Sequence, residues 1–70
     1  MDRKIVGMRL QNLRHRAHET VHQVAAIIGV SASSVMQYET GDKMPSDSVK
    51  IAIAKHFDCK VEEIFYEGFY

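Results

Sequence analysis

Between Thr20 and Gly41 the chain spells out two short helices and the corner that separates them, TVHQVAAIIGVSASSVMQYETG. Thr20 opens the first. Its hydroxyl can accept an orphan backbone N–H while Gln23, three residues on, reaches back, the Thr-x-x-Gln pattern of a capping box. Val24, Ala25 and Ile28 give that helix one apolar face, and Gly29 stands where a left-handed residue ends a helix at least steric cost. Ser31 is the next N-cap. Val35 and Tyr38 form the second apolar face, and Gly41 stops the second helix as Gly29 stopped the first. With Val30 alone between the stop at Gly29 and the N-cap at Ser31, the helices cannot run on in line.

The remainder of the chain is helical by the same criteria. Lys4 to Ala17 carries Val6, Leu10, Leu13 and Ala17 as one stripe, with Arg9, Asn12 and Arg16 outside it. Pro45 and Ser46 begin a helix that runs to about Phe57, with Val49, Ile53, Ala54 and Phe57 inward. Val61 to Tyr66 makes a short fifth helix, with Glu62 and Glu63 near its positive end. No alternating strand signal competes, so the expected fold is all-α, a compact bundle of five helices. Seventy residues allow one domain, near the lower limit for a chain that folds by core burial alone. That domain is expected to span 1–70, with its core from about 6 to 65 and a short aromatic tail at 66–70.

Composition narrows the functional classes. Hydrophobic residues make up 46% of the chain but never run long enough to span a bilayer, and the charged start is unlike a signal peptide, so a soluble cytoplasmic protein is expected. A lone cysteine, Cys59, pairs with nothing and reads as a small hydrophobe. His15, His18 and His22 lie close together but lack a carboxylate or thiolate pattern, and no metal or other cofactor is expected. Neither a nucleophile–base arrangement nor a phosphate-cradling glycine loop is present, which excludes the usual enzyme signatures, and no small-molecule ligand is predicted. Lys and Arg balance Asp and Glu at nine each, yet unevenly. From Arg3 to His18 every formal charge is positive, whereas Asp58, Glu62, Glu63 and Glu67 face Lys60 alone at the other end. One pole can bind an anion while the other stays free of it.

The corner from Ala25 to Val35 defines the chemistry. Ala25 is small where a second helix must cross closely, Gly29 turns the chain, Val30 plugs the angle and Val35 faces back, as a helix-turn-helix requires. With Val35 and Tyr38 inward, Ser33, Met36, Gln37 and Thr40 point outward and Ala32 lies at the margin. Short hydroxyls at the start permit close approach to a major groove, where Gln37 can pair bidentately with adenine.

On Leu13-Arg14, VAAIIGVS (24–31), YETG (38–41), Pro45-Ser46, IAKHF (53–57) and VEEIF (61–65), the segment from about Val6 to Phe65 resembles the helix-turn-helix domain of the phage-repressor and Cro-like, xenobiotic-response-element family. The resemblance implies a lambda-repressor-like five-helix fold whose third helix reads double-stranded DNA, usually as a two-fold homodimer on a pseudo-palindromic operator. It implies a buried pair between Arg14 and Glu39 that ties the first helix to the end of the third. Base contacts are expected from Ser31, Ala32, Ser33, Met36 and Gln37, and phosphate contacts from Arg9, Thr20, His22, Thr40 and Lys43. The chain also departs from the family. Val21 replaces a common phosphate-touching glutamine, Ala32 and Met36 replace polar residues, and Lys60 replaces a hydroxyl cap. A transcriptional repressor of phage or mobile-element type is expected, the alternative being a protein-interaction module of antitoxin or anti-repressor type. The cluster Ile64, Phe65, Tyr66, Phe69 and Tyr70 is expected to form the dimer interface, with no membrane partner.

Overall fold

In a computed structural model describing residues 2–66, five α-helices follow in the expected order. They are α1 (Arg3–Arg16), α2 (Val21–Ile28), α3 (Ala32–Thr40), α4 (Asp47–His56) and α5 (Val61–Phe65). Asp2, not singled out by the sequence reading, opens α1: its Oδ1 accepts the amides of Lys4 at 2.8 Å and Ile5 at 3.4 Å. Ser46 occupies the N-cap of α4 without capping it through its side chain. The capping box of α2 forms in full, Gln23 N donating to Thr20 Oγ1 at 3.1 Å and Thr20 N to Gln23 Oε1 at 2.8 Å. Lys60 offers α5 no acceptor, so Glu63 closes that start alone by taking the Lys60 amide at 2.8 Å.

Four helix ends share one closure. Gly29 and Gly41 are left-handed, and the next residues, Val30 and Asp42, donate to the carbonyls of Ala25 and Gln37. His18 and Asp58 do the same work at φ 57° and 54°, with Glu19 donating to Arg14 and Cys59 to Ala54. Glycine marked two of these ends in the sequence. The other two use side chains that only tolerate the left-handed region, so they left no clear signal. The closure at His18 also corrects the inward stripe of α1, because Ala17 becomes an exposed cap beyond the last helical residue.

α1 crosses α3 most closely at Gly7, which is buried. A Cβ there would collide with the Glu39 carbonyl and stand 2.8 Å from that of Tyr38, so the helices meet backbone to backbone. α2 packs on α3 and α4, and α5 closes the base against α4 and α1. The core runs from Val6 and Leu10 through Val24, Val35 and Ile53 to Phe65, the largest side chain wholly removed from solvent among the described residues. Among the same residues one charged side chain joins it. Lys50 is 8% exposed, and its ammonium donates to the Tyr66 hydroxyl at 3.1 Å while lying 5.6 and 5.1 Å from the centroids of the Phe65 and Tyr66 rings.

Candidate nucleic-acid interface

The third helix presents the face its sequence spacing requires. Ser31 Oγ accepts the Ser34 amide at 3.1 Å and sets the first turn, while Val35 and Tyr38 are buried at 4% and 5% exposure. Ser33, Met36, Gln37 and Thr40 are exposed along the opposite side, and Ala32 is half-buried at its margin. These residues share one accessible strip. Two hydroxyls assigned to contacts are already engaged within the chain: Ser31 caps α3, and Thr40 Oγ1 lies 2.9 Å from Asp42 Oδ2 and 3.2 Å from the Gln37 carbonyl oxygen. Thr20 is likewise committed to its capping box, whereas His22 is exposed on the first turn of α2.

Cations gather at the far end of α3. Lys43 is exposed, with its ammonium 6.0 Å from the centroid of the Tyr38 ring. The start of α1 also arrives there, since a Cβ on Gly41 would stand 3.2 Å from the Lys4 nitrogen and 3.3 Å from the Arg3 carbonyl. Arg3 and Lys4, both exposed, therefore begin beside the end of α3. No local pattern marks Lys4 for this position, because its place depends on how α1 crosses α3.

Arg9, expected to touch phosphate, is engaged within the chain. Its guanidinium turns toward α5, where Nη1 donates to the carbonyls of Glu63 at 3.2 Å and Ile64 at 2.9 Å. The last carbonyls of a helix lack intrahelical partners, and a cation satisfies both the hydrogen bonds and the negative end of the dipole. Arg9 is thereby tied to α5 through Nη1.

Arg14 and Glu39 meet in two parallel bonds, Nε to Oε2 at 2.7 Å and Nη2 to Oε1 at 3.0 Å. Nη1 goes to the Glu19 carbonyl at 3.0 Å. The hydrogen bond to Glu39 raises the Arg14 pKa, burial opposes it and the charge of Glu39 adds to it. The pair lines a small cavity with Leu10, Ile28, Val35 and Phe57, so it roofs the apolar core and orients α3. A second link that the sequence reading missed lies nearby. His56 Nε2 is 2.7 Å from Glu19 Oε1 and joins the end of α4 to the loop between α1 and α2. His15 stands 3.3 Å from Arg14 Nη2, and no group of three or more potential metal ligands comes together among the described residues.

The expected dimer cluster of Ile64, Phe65, Tyr66, Phe69 and Tyr70 is corrected at its first two positions. Ile64 and Phe65 are 2% and 0% exposed, because the single apolar side of α5 is consumed by α1 and α4. Only Tyr66, 48% exposed, presents surface. Phe69 and Tyr70 lie outside the described residues.

Known proteins align with this arrangement over nearly its whole length. A family model described as a helix-turn-helix domain matches residues 5–64. A curated protein of Pyrococcus abyssi, provisionally named an HTH-type transcriptional regulatory protein, is 36% identical over 55 residues, covering 79% of this chain and 17% of its own length. A counterpart in Pyrococcus furiosus is 38% identical over 55 residues, covering 79% and 18%. The chain thus spans under a fifth of the length of these curated relatives. The crystal structure of the restriction-modification controller protein C.AhdI from Aeromonas hydrophila superposes with a TM-score of 0.84 at 26% identity, over 91% of this chain and 97% of that one. The clp gene regulator ClgR from C. glutamicum shares the fold with a TM-score of 0.79 at 20% identity, over 91% of this chain and 83% of that one.

Proposed function

Because the chain belongs to the XRE-like helix-turn-helix family, whose model covers residues 5–64, we propose that it is a DNA-binding transcription regulator that inserts α3 into the major groove. The observation that carries this reading is the exposed strip Ser33, Met36 and Gln37, held outward by buried Val35 and Tyr38. Arg3, Lys4 and Lys43 flank that strip and supply the phosphate contacts, with His22 at the opposite end. The finer reading is a homodimeric repressor with residues 1–70 as its binding domain. One α3 reads only a few base pairs, and useful specificity needs two copies about 34 Å apart.

The test is selection of bound sequences from random DNA, followed by titration of selected and scrambled duplexes at two salt concentrations. Gln37→Ala is expected to cost about 1–3 kcal/mol on the selected site alone. Lys43→Ala is expected to weaken both duplexes alike and reduce the salt slope by about one unit. Equal losses on both duplexes for Gln37→Ala would remove it from the reading face. A second reading, a protein-interaction module of antitoxin or anti-repressor type, is favoured by the engagement of Arg9 with α5 and by the balanced net charge. It predicts no selected sequence at either salt.

A further inference from the structure

The reading helix carries no cation. From Ala32 to Thr40 it is ASSVMQYET, and its exposed strip offers two hydroxyls, one carboxamide and one thioether chain. Base edges in the major groove call for different partners. Guanine presents two acceptors and is met by arginine or lysine, adenine is met by glutamine or asparagine, and the thymine methyl is met by an apolar group. Nothing on α3 suits guanine as a bidentate partner. Gln37 suits adenine, which leaves Met36, 47% exposed beside it, as the large apolar side chain on the strip.

Met36 does not pack back onto the chain, since the neighbouring inward positions Val35 and Tyr38 fill the core side of α3. An unbranched thioether is flexible enough to follow an irregular apolar surface. A C5-methyl group in the groove is such a surface, and the partner of any adenine read by Gln37 provides one. On this geometry we propose that Met36 reads the C5-methyl of a thymine, so that each half-site is specified at A·T pairs without a bidentate guanine contact from α3. The inference rests on α3 being the base-reading helix. Cytosine methylated at C5 would offer the same group, but it pairs with guanine, for which this helix has no donor fork.

Uracil tests the assignment, because it keeps every hydrogen-bonding group of thymine and lacks only the methyl. Thymines of the selected duplex are replaced singly by deoxyuridine. The parent protein is expected to lose about four-fold in affinity at one position per half-site, the factor set by returning one methyl group to water. Met36→Ala should weaken binding by a similar factor and be indifferent to uracil, while Met36→Leu should restore sensitivity. The side chain is half in solvent, so both variants should melt like the parent, and a melt confirms it. Selective binding that tolerates uracil everywhere overturns this inference alone. So does a uracil effect that survives in Met36→Ala. If 5-methylcytosine at that position binds as tightly as thymine, the thymine assignment falls to a methylated-cytosine one. An absence of any selected sequence overturns the base-reading role of α3 and this inference together.

Discussion

Arg14 stands between two regimes of ion pairing, and its surroundings decide which applies. Exposed pairs contribute about 0–1 kcal/mol, but here the side chains are 13% and 9% exposed and joined by two short bonds. Removing one partner leaves a nearly buried charge, which costs about 3–5 kcal/mol. Arg14→Ala is therefore expected to lose about 3 kcal/mol, near the lower end because the edge of the pair still touches water. Denaturant titration measures the loss, and a parent-like midpoint would place the pair among surface contacts. Replacing both residues with apolar ones should cost less than the sum of the single changes. Cys59 illustrates electrostatics acting on chemistry. Burial raises its thiol pKa first, Glu63 and Asp58 add to it and Arg16 opposes. The thiolate is the nucleophile, so alkylation by iodoacetamide at about pH 8 is expected to run slower than for an unhindered thiol. The linked stability has a definite sign. The folded state favours the thiol, so its contribution is complete below the ordinary thiol pKa and disappears as pH rises through the raised folded value. The parent should then lose more stability on alkaline titration than Cys59→Ala does.

Among the elements, the crossing of α1 and α3 turns on a glycine that helix propensity would discard. Gly7→Ala in the interior of a helix is worth about 1 kcal/mol by propensity. The added Cβ, however, runs into backbone carbonyls of Glu39 and Tyr38, which cannot rotate aside, and forced separation in a packed core costs about 1–3 kcal/mol or more. Collision outweighs propensity, and Gly7→Ala is expected to melt several degrees lower. Gly29 makes the control. No atom lies within 4 Å of the Cβ it would gain, and its φ is +79°, so Gly29→Ala should show backbone strain alone, about 1 kcal/mol. If Gly7→Ala proved as stable as the parent, α1 and α3 would have to pack less closely than they do here.

For the molecule as a whole, α5 is core before it is interface. Truncation after Glu63 would remove Ile64 and Phe65, which are 2% and 0% exposed. It would also take from Arg9 the shorter of its two bonds to α5, the one to the Ile64 carbonyl at 2.9 Å. The truncated chain is expected to lose its cooperative thermal transition, since burying one large side chain is worth about 1.5–3 kcal/mol and a fold this small has little reserve. A folded, monomeric truncation would return α5 to the surface. Association is measured on the intact chain. Sedimentation equilibrium at micromolar concentration is expected to show mass above the 8.0 kDa of one chain, rising with concentration. A constant mass at that value would remove the homodimer from the proposed function.

What the sequence determined by itself was local. The caps at Thr20 and Ser31, the stops at Gly29 and Gly41, and the outward set Ser33, Met36, Gln37 and Thr40 all follow from interactions within about four residues, where helix geometry fixes every neighbour. Arg14 with Glu39 was legible only through resemblance, because 25 positions separate them. Tertiary packing decided the rest. It buried Ile64 and Phe65, which an isolated amphipathic turn would leave free to dimerise. It drew Arg9 onto α5, brought Arg3 and Lys4 to the end of α3, and enclosed Lys50 beneath two rings. A residue's type fixes which partners satisfy it, but only the crossing of α1, α3 and α5 determines which of them lie within reach.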